Sequence, residues 1–243
     1  MFDLSDARIK LDRACKHISD LEAAIIALEA SDLYSITFEQ NKGLGSAELK
    51  FQSLHQMDKS INALIGDAVG NLRSALDYLF FPIAVRCGAD PTKVTFPFAS
   101  DKKGFSGEVR SPNRQLTDEL IVIFDGIEAY QGGAGHSLWA INKLRNIDKH
   151  RLLIAVANLA GIIVSFKVGP VTVTEFRTNI VAGQDCVAIK SIALGEVQLT
   201  EQPRPTFKIQ IEEVAEGINS EALALLHGGA RDIDSLLKAL EQL

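Results

Sequence analysis

Lys143, Arg145, Lys149 and Arg151 stand against a single acid, Asp148, in the segment Lys143-Leu144-Arg145-Asn146-Ile147-Asp148-Lys149-His150-Arg151, a local charge of +3 over nine residues. These side chains have the chemistry to act on a phosphate. Histidine titrates near neutrality, so His150 can give or take a proton. Arginine is permanently charged and planar, and its fork of donors matches phosphate oxygens, so Arg145 can hold developing negative charge. Asn146, one helical turn before His150, is spaced to orient the imidazole or a substrate. Lys149 and Arg151 extend the basic patch.

The same residues also have a purely structural use. A second helix carries Asp67, Asn71, Ser74 and Asp77 as a polar stripe, and buried polar groups must find partners. A network joining Asn71, Arg73 and Asp77 to Arg145, Asp148 and His150 would fasten two helices together without any catalysis. Geometry leaves both uses open. Residues five apart on a straight helix are turned by about 140°, so Arg145 and His150 do not share a face. A cleft on a dimer axis resolves this by receiving both residues from each chain.

Arg145-Asn146-x3-His150 resembles the Arg-x(4–6)-His signature of HEPN domains, helical bundles with a polar residue after the arginine. The Asn71-Leu72-Arg73-Ser74-Ala75-Leu76-Asp77-Tyr78-Leu79 and Leu144–Arg151 segments are also similar to helices of uncharacterised bacterial proteins. The resemblance implies a metal-independent endoribonuclease acting as a homodimer on RNA, with Arg145 and His150 catalytic and the 2′-hydroxyl as nucleophile. It equally admits a non-enzymatic binding or scaffolding module. A small antitoxin-like protein or a nucleotidyltransferase is the partner it suggests, and no cofactor is expected.

Other motifs carry less. Gly43-Leu44-Gly45-Ser46 lies between two strand patterns and opens no helix, so it lacks the context of a phosphate loop. The five histidines form no His-x3-His pair, Cys15 and His17 point apart on a helix, and no metal site is expected. There is no Gly-x-Ser-x-Gly elbow. Gly132-Gly133-Ala134-Gly135 precedes a helix, where backbone donors can receive an anion or the glycines can simply make a turn.

The elements that must position these residues follow from periodicity. Leu4, Ala7, Leu11, Ala14, Ile18, Leu21, Ile25 and Leu28 form one helical seam, an apolar face suited to dimerisation. Tyr34, Ile36 and Phe38, then Leu49 and Phe51, alternate about Asn41-Lys42-Gly43 as a hairpin. A second helix starts near Met57 and meets Pro82, which ends or kinks it. A third covers Leu116 to Tyr130 and a fourth Ser137 to Asn158. Beyond Gly161 the pattern alternates, predicting a meander through Ile162–Phe166, Val171–Val173, Val187–Ile189 and Phe207–Ile211. A last helix begins near Ser220, with Gly228-Gly229 placed to interrupt it.

The expectation is therefore an α+β chain: an antiparallel bundle of four or five long helices with an appended antiparallel meander that the N-terminal hairpin joins. It reads as one integrated domain over 1–243, with a helical part at 1–160 containing hairpin 34–54, a sheet at 161–213 and a helix at 218–243. Hydrophobic residues make up 47% of the 243, enough for a sizeable core. No apolar run reaches the roughly 18 residues of a membrane helix, and the N-terminus lacks the pattern of a signal peptide. Three scattered cysteines suit a reducing cytoplasm. A net charge of −6 excludes a uniformly basic nucleic-acid binder and confines any such role to the local patch.

Overall fold

A computed structural model describes residues 2–31, 34–41, 46–53, 58–150, 153, 155–179, 186–190, 197–213 and 218–243. The chain is α+β, and its helices are unequal. α1 (Ser5–Glu29), α2 (Ser60–Arg86) and α6 (Ala222–Leu240) are long, α5 (His136–Asp148) has 13 residues, and α3 (Lys102–Val109) and α4 (Asp118–Asp125) have eight each. Among the described residues the expected set of four or five long helices is thus corrected to three long ones, one of middle length and two short ones.

Each difference has a local cause. The third helix is expected over 116–130, but α4 begins only after Thr117, whose Oγ1 accepts from Leu120 N, and stops at Gly126. Tyr130 instead makes an isolated parallel bridge to Ala99. The fourth helix is expected to reach Asn158 but closes at Asp148, where Lys149 N donates to Arg145 O and His150 N to Ile147 O. The apolar run that follows has no clear period, and such a run reads equally as buried helix or buried strand. It is strand from Ala155. α3, unexpected in a segment with two glycines, is nucleated by Asp101, whose side chain accepts from Gly104 N at 2.7 Å. α2 continues through Pro82, and α6 continues through Gly228-Gly229.

The strands are β1 (Tyr34–Asn41), β2 (Ser46–Ser53), β3 (Ala155–Val168), β4 (Val171–Asn179), β5 (Cys186–Lys190), β6 (Val197–Leu199), β7 (Arg204–Glu213) and β8 (Ile218–Glu221). They do not form a simple meander. β1-β2-β5 is one sheet and β4-β3-β7-β8 another, with β6 also on β3. The hairpin therefore takes β5 from the expected meander and builds its own three-stranded sheet. β3 is long enough to take β4 along one edge while β6 and β7 share the other. A bulge between Val164 and Phe166 sets Glu175 at φ 50° on the opposite strand, and Ser165 Oγ fills it, accepting from Glu175 N at 3.1 Å.

Two compact units divide the chain, 1–22 with 59–155 and 211–243, and 23–58 with 156–210. In the second, Leu49, Ile162, Val164, Phe166, Val168 and Val197 form a buried core. In the first, α2 is buried along Ile61, Ile65, Leu72, Leu76, Leu79, Phe80 and Ile83, and the rings of Phe96 and Phe124 meet Phe80 edge-on at 5.8 and 5.1 Å. The apolar seam of α1, expected to offer a dimer face, is buried from Leu4 to Ile25 within the chain itself.

Arg8 ties α1 to α6, bonding Asp234 Oδ1 at 2.6 Å and Glu241 Oε2 at 2.9 Å. Its guanidinium holds Glu241 below the ordinary carboxylate range, while Lys238 and then Arg8 do the same for Asp234. Depressed carboxylate pKa values stabilise the fold above the unfolded-state value and lose that contribution as pH falls through the folded one. Arg8→Ala is therefore expected to melt below wild type at pH 6, and the gap should close as the pH falls below about 4. Thermal melts of the two proteins between pH 2.5 and 6 check this.

Candidate functional site

Arg145 occupies the last turn of α5, on the flank that meets α2. Its Nη1 donates to Asp148 Oδ2 at 2.9 Å, an i,i+3 pair in which the carboxylate is 15% and the guanidinium 35% exposed. The pair rests against bare backbone. A Cβ at Gly66 of α2 would come within 2.5 Å of Asp148 Oδ1, and one at Gly70 within 3.7 Å of the Arg145 guanidinium. Two glycines one turn apart thus open a slot in α2 in which the ion pair lies. Asp148 fills it at one end, and the flat face of the guanidinium covers the other.

One turn further along α2, Arg73 crosses to α5 by donating from Nε to Asn142 Oδ1 at 2.9 Å. It also pairs with Asp77 on its own helix and lies 5.0 Å from the centroid of the Phe98 ring. Asn71 turns back to its own helix, with Nδ2 donating to Asp67 O at 2.9 Å. A hydrogen bond from Arg73 to Asn142 thus crosses from α2 to α5, while Arg145 and Asp148 pair with each other on α5 and pack against the α2 glycines. Asn71 takes part in neither.

Asn146, Lys149 and His150 are exposed. His150 lies two residues beyond the end of α5, in the closing turn, where Lys149 keeps helical backbone and His150 N donates to Ile147 O. Among the described residues no hydrogen bond joins the side chains of Asn146 and His150 or links His150 to Arg145. Arg151 lies outside the described residues. The structure thus separates the motif into a half-buried pair facing α2 and an exposed turn.

Three participants were missed in the sequence. Asn142 gives no signal, being one polar residue among several on α5. Gly66-x3-Gly70 does give one, because two glycines at i and i+4 inside a helix cost propensity and mark a close approach.

The glycine-rich turn before α5 is already filled by the chain. Glu128, at φ 52°, accepts from Ala134 N at 3.4 Å through Oε2, and its backbone carbonyl accepts from Gly135 N at 3.2 Å. The anion received by that loop is Glu128's own carboxylate.

Among the described residues no group of histidine, cysteine, aspartate and glutamate could hold a metal ion, and no described helix is long and apolar enough to cross a membrane. No protein-family model matches the chain, and neither a curated protein nor a solved structure is measurably similar to it.

Proposed function

We propose that this chain is a non-enzymatic, HEPN-like binding or scaffolding module in which Arg145 and Asp148 fasten α5 to α2. The observation that carries the reading is the Arg145–Asp148 pair lying in the Gly66/Gly70 slot, part-buried and facing a neighbouring helix. A guanidinium that must clamp a phosphorane needs its donor edge free toward substrate. Here Nη1 is engaged by Asp148 Oδ2, and the guanidinium lies against α2 at Gly70, which ties Arg145 to the helix pair. His150 and Lys149 are left as a small polar surface at the end of α5, available to a partner.

The ribonuclease reading keeps one supporting observation. His150 is exposed in a turn and could reach RNA from a second copy's side of a shared cleft. Incubating the wild-type protein with single-stranded RNA, with and without EDTA, separates the two. The scaffold predicts intact RNA under both conditions. Cleavage that survives EDTA, gives cyclic-phosphate ends and falls by roughly 10²–10⁴-fold in His150→Ala would establish the enzyme instead. Light scattering at tens of micromolar then reports whether a dimer exists to form the cleft.

A further inference from the structure

A crevice of about 340 Å3 opens between α3 and α4, away from the Arg145 pair, within the size range of about 300–1,000 Å3 typical of small-molecule sites. Phe105, 1% exposed, forms its floor beside Tyr130, the two ring centroids 6.0 Å apart. Val122, 73% exposed, adds an apolar rim. Across the mouth run two ion pairs, Lys102 Nζ to Glu128 Oε1 at 3.0 Å and Arg110 Nη2 to Asp125 Oδ2 at 2.9 Å.

The two signs of charge are not equally available. Asp125 has both oxygens engaged, Oδ1 accepting from Ser106 Oγ at 2.8 Å and Oδ2 from Arg110. Glu128 likewise uses Oε1 for Lys102 and Oε2 for Ala134 N. These contacts, the arginine first for Asp125 and the lysine first for Glu128, hold both carboxyls below their ordinary range, so both stay ionised. The cations are the exposed arms, 77% for Lys102 and 50% for Arg110. An ammonium has three donors and a guanidinium five. Lys102 donates to Glu128, and Arg110 to Asp125 and Ser106, which leaves donors on both. The unspent capacity of the crevice is therefore donor capacity above an aromatic floor, within a ring of charges that sums to zero.

We propose that this crevice binds a small aromatic monocarboxylate, its carboxylate bridging Lys102 and Arg110 and its ring resting on Tyr130 and Val122. A dianion such as phosphate is disfavoured because Asp125 and Glu128 stay in place and repel the second charge. A neutral amide loses the charge-assisted bonds.

The test titrates 3-phenylpropanoate into the full chain at low salt, following chemical shifts, with 3-phenylpropanamide and inorganic phosphate as controls. Saturable binding of the acid alone is expected, weakened about tenfold or more in Arg110→Gln and in Lys102→Gln. Both side chains are exposed, so near-wild-type melting should confirm that each variant folds. Should either fail to fold, Val122→Glu supplies a rim charge that weakens the acid and spares any amide contact. No saturation by the acid, equal binding of acid and amide, tighter binding of phosphate, or full binding retained in all three variants would each overturn the assignment.

Discussion

Asp148→Ala is expected to unfold with roughly 1–3 kcal/mol less free energy than wild type, while His150→Ala melts within about a degree of it. Asp148 is the more buried member of its pair, at 15% exposure. Removing it leaves the Arg145 guanidinium against the α2 backbone with no counter-charge and one hydrogen bond short. Breaking a fully buried pair costs about 3–5 kcal/mol. Arg145 retains 35% exposure to water, which discounts that figure to the lower range. Arg145→Ala should do comparable damage, since it strands the carboxylate in the slot and removes a long aliphatic stem. Arg145→Lys should recover part of the loss, because an ammonium supplies the charge without the flat face that covers Gly70. Gly66→Ala reaches the same pair from the other helix, its Cβ pressing on Asp148 Oδ1. It should destabilise despite the better helix propensity of alanine. If instead His150→Ala lost as much stability as Asp148→Ala, the division of the motif into a clamp and an exposed turn would be wrong.

How much of this is legible in the sequence depends on which physical signal each residue leaves. The seam of α1 is readable because seven turns of one period leave no competing register. Its meaning is not. A stripe that looks free for a second copy is covered inside the chain, since burial is a tertiary fact that periodicity cannot locate. The pairing of Arg145 with Asp148 is readable as an i,i+3 relation, and the polar stripe of α2 points to a helix–helix role for it. What cannot be read is where α5 ends. Leu152 to Val164 is almost uniformly apolar, so strand and helix fit it equally, and the position of His150 relative to Arg145 hangs on that choice. The sheets escape for a related reason. Alternation identifies strands but not neighbours, and nothing in Val187–Ile189 says that it pairs with Leu49 of the hairpin and not with the strands beside it in sequence. Arg73 falls in the right network with the wrong acceptor, because it is Asn142, a turn before Asn146 on α5, that meets its Nε.

Gly229→Ala should destabilise the chain by about 1–3 kcal/mol, the usual cost of overpacking a filled core. Two adjacent glycines in the middle of α6 forfeit roughly 1–2 kcal/mol of helix propensity relative to alanine, which is why the sequence suggests a break there. The helix survives because the missing side chains let α6 approach α5. A Cβ at Gly229 would overlap Ile141 Cδ1 and lie 3.7 Å from Leu72 Cδ1 of α2, while one at Gly228 would come within 2.6 Å of Ser137 Oγ. Ile141 and Leu72 are both fully buried, so neither has solvent to retreat into. The propensity gained by alanine offsets part of the clash, and a double-mutant cycle isolates the remainder. Ile141→Val deletes the very methyl that collides and alone should cost about 0.5–1.5 kcal/mol. Combined with Gly229→Ala it should cost less than the two changes summed, by roughly 0.5–2 kcal/mol, as residues in contact couple. Strict additivity would mean that the glycines are not set by the approach of α5, and a stabilised Gly229→Ala would mean that the helices have room to spare.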